Sequence, residues 1–124
     1  VGVMIGLGID AVNVHRFREA LNRTPNLRTR IFTAAELASL ASRADSAPSL
    51  AVRFAAREAT MKALGVGLGA FDLHDVSIRN SESGSPELIV TGRAAVLAQS
   101  RGVKNWLVSL SHTEDTAIAV VASN

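Results

Sequence analysis

The sequence contains no cysteine and no tyrosine, one tryptophan and four phenylalanines, so aromatics make up only 4% of its 124 residues. Without cysteine there is no disulfide and no thiolate metal site, and the composition fits a reducing compartment; the expected location is the cytoplasm. With so few aromatics the core has to be built from Ala, Val, Leu and Ile, and a small core of that kind gains from oligomerisation. Interleaved aromatics for stacking on bases are also missing, and no nucleic-acid motif is present, so no nucleic-acid partner is expected. Long apolar runs are absent as well. The most apolar stretch, Val1–Ile9, is interrupted by glycine, is too short to span a bilayer and has no basic leader, so neither a membrane span nor a targeting segment is expected.

What is present reads as one globular domain over residues 1–124, with 48% hydrophobic and 19% charged residues. The net charge is only +2, yet the pI is 9.9 because arginine dominates the basic side. Val3–Ile9 predicts a buried strand ending at Asp10, with Gly6 and Gly8 marking a bulge or a close backbone approach. Val14 to Leu21 predicts a short helix stopped before Pro25. Thr33-Ala34-Ala35-Glu36 is a capping box that starts a second helix through about Ser42. A long helix follows from about Ser49 to Leu64, with Gly65 as its stop. Val76–Asn80 and Glu87–Thr91 predict a hairpin, Arg93–Ser100 a helix, and Trp106–Leu110 and Thr116–Ala122 two further strands. The order predicts an α+β domain with a mainly antiparallel sheet packed on one long central helix.

The stretch from Arg53 to Gly69 carries the main chemical signal. Glu58 and Lys62 lie four residues apart on one helix face, on a stripe with Leu50 and Phe54 that should face the core. As a surface ion pair they contribute about 0.3–0.5 kcal/mol. On an apolar stripe a carboxylate and an ammonium are costly unless a ligand uses them, as metal ligand or base and as phosphate contact. Asp10 reads either as a helix N-cap or as a strand-end ligand for a hard cation. With Glu58 it makes a two-carboxylate site that leaves room for water and phosphate. Gly65-Val66-Gly67-Leu68-Gly69 is no dinucleotide fingerprint, because it follows a helix instead of opening one. A C-cap accounts for Gly65; close approach of a ligand would account for Gly67 and Gly69. His112 reads alone as a structural or exposed histidine, and Asp72, His74 and Asp75 as solvated loop residues. Arg16, Arg18, Arg23, Arg28 and Arg30 face only Glu19, which points to an acidic partner. A basic binding module without chemistry explains the arginines but not Asp10, Glu58 and Lys62 together.

Gly8-Ile9-Asp10, Arg16 six residues on, the run Arg53-Phe54-Ala55-Ala56-Arg57-Glu58-Ala59-Thr60-Met61-Lys62-Ala63-Leu64-Gly65-Val66-Gly67, and Ser109-Leu110-Ser111-His112 together resemble the short, carrier-protein-synthase class of 4′-phosphopantetheinyl transferases. The resemblance implies that class's fold and its activity. The phosphopantetheine arm of coenzyme A is transferred to a serine of apo-acyl carrier protein, leaving adenosine 3′,5′-bisphosphate, in fatty-acid or polyketide biosynthesis. It implies Mg²⁺ and a homotrimer with active sites between subunits. It makes Asp10 and Glu58 the metal ligands and, with Lys62, the catalytic group. Arg53, Lys62, Gly65, Gly67 and His112 would bind coenzyme A, and Arg16, Arg23 and Arg30 would dock the carrier. Two positions depart from the pattern. The class usually has lysine where this chain has Arg57, and an arginine does not deprotonate at working pH. The larger transferases carry a third acid two residues beyond the first, where this chain has Val12.

Overall fold

The structure is a computed structural model that describes residues 3–124. Its elements run β1 (Gly6–Asn13), α1 (Val14–Arg23), α2 (Leu27–Ile31), α3 (Ala34–Leu40), α4 (Ala47–Leu64), a 3₁₀ turn (Leu73–Asp75), β2 (Val76–Asn80), β3 (Pro86–Val90), α5 (Gly92–Ser100), β4 (Trp106–His112) and β5 (Thr116–Ser123). Among the described residues all strand pairing is antiparallel, in two sheets: β1-β5-β4 and the hairpin β2-β3. The expected α+β domain on one long helix is therefore present, with the sheet divided in two. The short α2 is an addition to the predicted order. Its five residues between Pro25 and the Thr33 cap are too few for a periodic signal.

Helix α4 is the axis. Ala51, Ala55, Ala56 and Ala59 are fully buried, and Ala55, Ala56 and Ala59 cluster with Ala119 and Val121 of β5. These small side chains let the helix lie close against the three-stranded sheet. The approach is closest at β1. A Cβ at Gly8 would collide with the Ala59 carbonyl oxygen, and one at Gly6 with that of Ala63. Gly6 and Gly8 thus mark a close approach and not a bulge, and the β1–β5 register runs unbroken from Gly6↔Ser123 to Asn13↔Thr116.

Three expectations are corrected here. The first strand begins at Gly6 and runs past Asp10 to Asn13, so Asp10 lies inside it. It is also not buried on both faces: Leu7 and Ile9 are each 58% exposed, because α4 covers only the other side of the sheet. The stripe Leu50–Phe54–Glu58–Lys62 does not face the core along its length. It runs from buried Leu50 through half-buried Phe54 and Glu58 to exposed Lys62. The alanine faces of α4 occupy the sheet, which turns this stripe toward a groove.

Candidate active site

Three polar side chains converge where β1 crosses the C-terminal half of α4. The pleat puts Asp10 on the same face as Gly8 and Val12, toward the helix. Asp10 does not cap α1; Asn13 does, its side chain accepting from the Arg16 amide at 2.9 Å. The Lys62 ammonium donates instead to Asp10 Oδ1 at 3.1 Å and to the Ile9 carbonyl at 2.9 Å. The i,i+4 partner Glu58 is left without an ion pair among the described residues. Burial pushes the Glu58 carboxyl above its ordinary range, and the Asp10 carboxylate adds to this against the opposing pull of Lys62.

Two carboxylates whose charges raise the cost of ionising one of them fit a hard, oxygen-seeking cation, which relieves that repulsion. No group of three or more acid, histidine or cysteine side chains poised for a metal occurs among the described residues. Val12, on the same strand face as Asp10, packs into the apolar core, so it supplies no third ligand.

Glu58 also borders a cavity of about 540 Å³ whose walls include Phe17, Leu27, Arg30, Phe54, Leu68 and Leu73. Phe17 and Phe54 stack at 5.4 Å between ring centroids and form part of its lining. The groove is therefore mainly apolar, with the carboxylates of Glu58 and Asp72 and the Arg30 guanidinium at its margin. Beyond Lys62 the helix ends on Gly65 at φ +71°, with the Val66 amide returning to the Met61 carbonyl. Gly69 stands at φ +97°, so its backbone itself requires glycine. Gly67 has neither constraint; the space where its side chain would be is open.

The other predicted site residues lie elsewhere in the single chain. Arg53 is buried, donates from Nη1 to the Ser49 carbonyl at 3.1 Å, and lines a separate cavity of about 430 Å³ between α3 and the β2–β3 hairpin. His112 ends β4 and lines a cleft of about 480 Å³ with His15, Arg18 and Asp45. Arg16 and Arg23 are exposed on α1 and form no ion pair among the described residues, whereas Arg18 is tied to Asp45 at 2.6 Å. Arg30 comes from α2 to the groove margin.

Arg57 has a clear structural place. It is fully buried and forks onto the Glu36 carboxylate, donates from Nε to the Leu73 carbonyl at 2.8 Å, and lies 5.0 Å over the Phe32 ring. Glu36 closes the expected capping box on Thr33 and also accepts from the Ile78 amide at 3.1 Å. Burial pushes the Glu36 carboxyl up, but Arg57 and the Thr33 and Ile78 amides outweigh it and hold it below its ordinary range. The groove residues Phe17, Leu68 and Leu73 were not singled out in the sequence. Phe17 and Leu21, four apart on α1, were the available signal.

Fold and site together define the class. The chain belongs to the 4′-phosphopantetheinyl transferase superfamily, whose family model matches residues 6–121. Within that class its relatives are carrier-protein synthases. It is 44% identical to the holo-[acyl-carrier-protein] synthase of Moorella thermoacetica, over 94% of this chain and 91% of that protein. The holo-[acyl-carrier-protein] synthase of Neisseria meningitidis superposes with a TM-score of 0.89 at 29% identity, over 98% of this chain and 99% of that one. That of Bacillus anthracis, solved in complex with CoA (3′,5′-ADP), superposes with a TM-score of 0.81 at 29% identity, over 98% and 97%.

Proposed function

We propose that this protein transfers the 4′-phosphopantetheine group of coenzyme A to a serine of an apo-acyl carrier protein, yielding the holo-carrier and adenosine 3′,5′-bisphosphate. The observation that carries this reading is the meeting of Asp10, Lys62 and Glu58 at the edge of an apolar groove rimmed by Arg30. Asp10 and Glu58 would hold Mg²⁺, which would supply positive charge against the negative charge that develops during transfer. Lys62 exchanges its bonds to Asp10 and Ile9 for the phosphates and stabilises the departing bisphosphate. The serine oxygen bonds to the phosphorus bearing the pantetheine arm as that phosphorus parts from the bisphosphate oxygen. The hydroxyl proton passes to Glu58, directly or through an intervening water; a bound cation would lower the basicity of the carboxylate, which favours the water route.

The open Gly65–Gly67 backbone gives coenzyme A close access beside Lys62. Arg16, Arg23 and Arg30 steer and dock the acidic carrier, whose serine-bearing segment seats along the groove. Arg53 and His112 bind coenzyme A from across a subunit boundary in a homotrimer. The uncovered apolar sheet face, with Leu7, Ile9, Leu107 and Ile118 between 38% and 67% exposed, supports assembly of copies. No described helix is long and apolar enough to cross a membrane. The enzyme works in the cytoplasm, on a carrier of fatty-acid or polyketide synthesis.

The direct test is incubation with coenzyme A, Mg²⁺ and a folded apo-carrier. A mass gain of one phosphopantetheine arm on the carrier is expected. No gain would leave a basic binding module.

A further inference from the structure

His74 joins the two walls of the groove. One wall is α2, which contributes Leu27 and Arg30; the other is the segment that contributes Leu68, Asp72 and Leu73. His74 follows directly in that second wall, and its Nε2 donates to the Thr29 carbonyl of α2 at 2.7 Å, across 45 residues of sequence. The turn that carries His74 is held by Asp72, whose Oδ1 accepts the His74 amide at 2.8 Å and stands 3.4 Å from His74 Nδ1. With Nε2 carrying a proton the Thr29 carbonyl is satisfied, and the Asp72 carboxylate pairs with Nδ1 only when that nitrogen carries a proton too.

Helix α2 needs such a tie. It has only five residues, its N-cap Asn26 makes no side-chain cap bond, and Ile31 is its one buried residue. A helix that short has no stability of its own and takes its position from tertiary contacts. The opposite wall is fixed on its inner side by the Arg57 bond to the Leu73 carbonyl. The groove is therefore pinned to the core at Leu73 and clasped at its rim by His74.

We propose that His74 is a positioning residue that sets the spacing between α2 and the 68–74 segment, and so the fit of the carrier beside Glu58. This rests on the carrier-modifying reading above. His74 touches neither the carboxylate pair nor the glycine loop, so its effect falls on the carrier and not on coenzyme A.

The full chain is compared with His74→Ala and with His74→Gln, whose amide can donate to the same carbonyl. His74→Ala is expected to raise KM for the apo-carrier roughly three- to tenfold with KM for coenzyme A unchanged, and to speed amide hydrogen exchange over residues 27–31. His74→Gln is expected to recover most of both. Unchanged exchange over 27–31 in His74→Ala overturns the clasp. Faster exchange with an unchanged carrier KM, or an equal rise for both substrates, overturns the positioning role. A wild-type protein that transfers no arm overturns the functional reading, and with it the carrier role of His74, while the exchange comparison still decides whether the clasp exists.

Discussion

At the residue scale, Glu58 and Arg57 are neighbours with opposite duties. Glu58 is half-buried, has no ion-pair partner among the described residues and has its carboxyl raised; Arg57 is fully buried and bonded at all three guanidinium nitrogens. A raised carboxyl means that folding disfavours the ionised form, so this group withdraws stability as pH rises above the ordinary value of 4.5. Glu58→Gln should therefore lose transfer by at least about 100-fold, the usual scale for a positioned base. Its melting temperature at pH 7 should be no lower than that of the wild type; a clear drop would make Glu58 a structural residue. Glu36 has the opposite sign. Its carboxyl is held below 4.5, so its pairing stabilises fully above that value and is lost as pH falls through the lowered one. Arg57→Met should cost about 3–5 kcal/mol by leaving Glu36 buried without its partner. The double variant Glu36→Leu/Arg57→Met should regain only part of that, since the Thr33 and Ile78 amides lose their acceptor, and should lose this acid-dependent part of the melting curve. Melting temperatures between pH 7 and pH 3 would check both.

At the element scale, the site exists because β1 lies almost in backbone contact with α4. Gly8→Ala would drive a methyl into the Ala59 carbonyl and push the strand outward. Asp10, two residues along the same face, would move away from Lys62. The variant should be folded but destabilised by about 1–3 kcal/mol, as for overpacking, with transfer falling further than stability alone explains. Chemical denaturation and the transfer assay, run together, would test that difference. The element boundaries were largely legible: β2 matches its predicted span, and Gly65 ends α4 as expected. Helix α2 was not, because one turn between two punctuators has no period. Nor was the extension of β1 through Asp10 to Asn13. Polar Asp10 and Asn13 look like the end of a strand until their pairing with Ala119 and Thr116 is seen.

At the scale of the whole molecule, the single chain gathers only part of the expected site. Asp10, Glu58 and Lys62 meet, while Arg53 and His112 open onto other cavities. A trimer that completes the site between copies predicts that activity and assembly fail together. Leu7→Glu with Leu107→Glu, two exposed positions flanking Ala122 on the uncovered sheet face, should give a folded monomer with transfer largely lost. Sedimentation and the carrier assay would show it; a fully active monomer would place the whole site in one chain. The basic surface makes a further prediction. Arg16→Glu should raise KM for the carrier more than KM for coenzyme A, and carrier binding should weaken as salt rises.

The sequence by itself determined the family, the α+β class with its long central helix, the candidate site residues and the basic surface that suits an acidic partner. Those depend on residue type and local spacing, which a linear string carries in full. Only the tertiary structure decided that Lys62 bonds Asp10 and not Glu58, that Arg57 belongs to the core, and that Glu58 opens on a groove beside which His74 bonds Thr29. Each of these depends on which backbone lies against which, across 52 residues for Lys62 and Asp10, 21 for Arg57 and Glu36, and 45 for His74 and Thr29. Residue spacing fixes the face of a helix; only packing decides what that face meets.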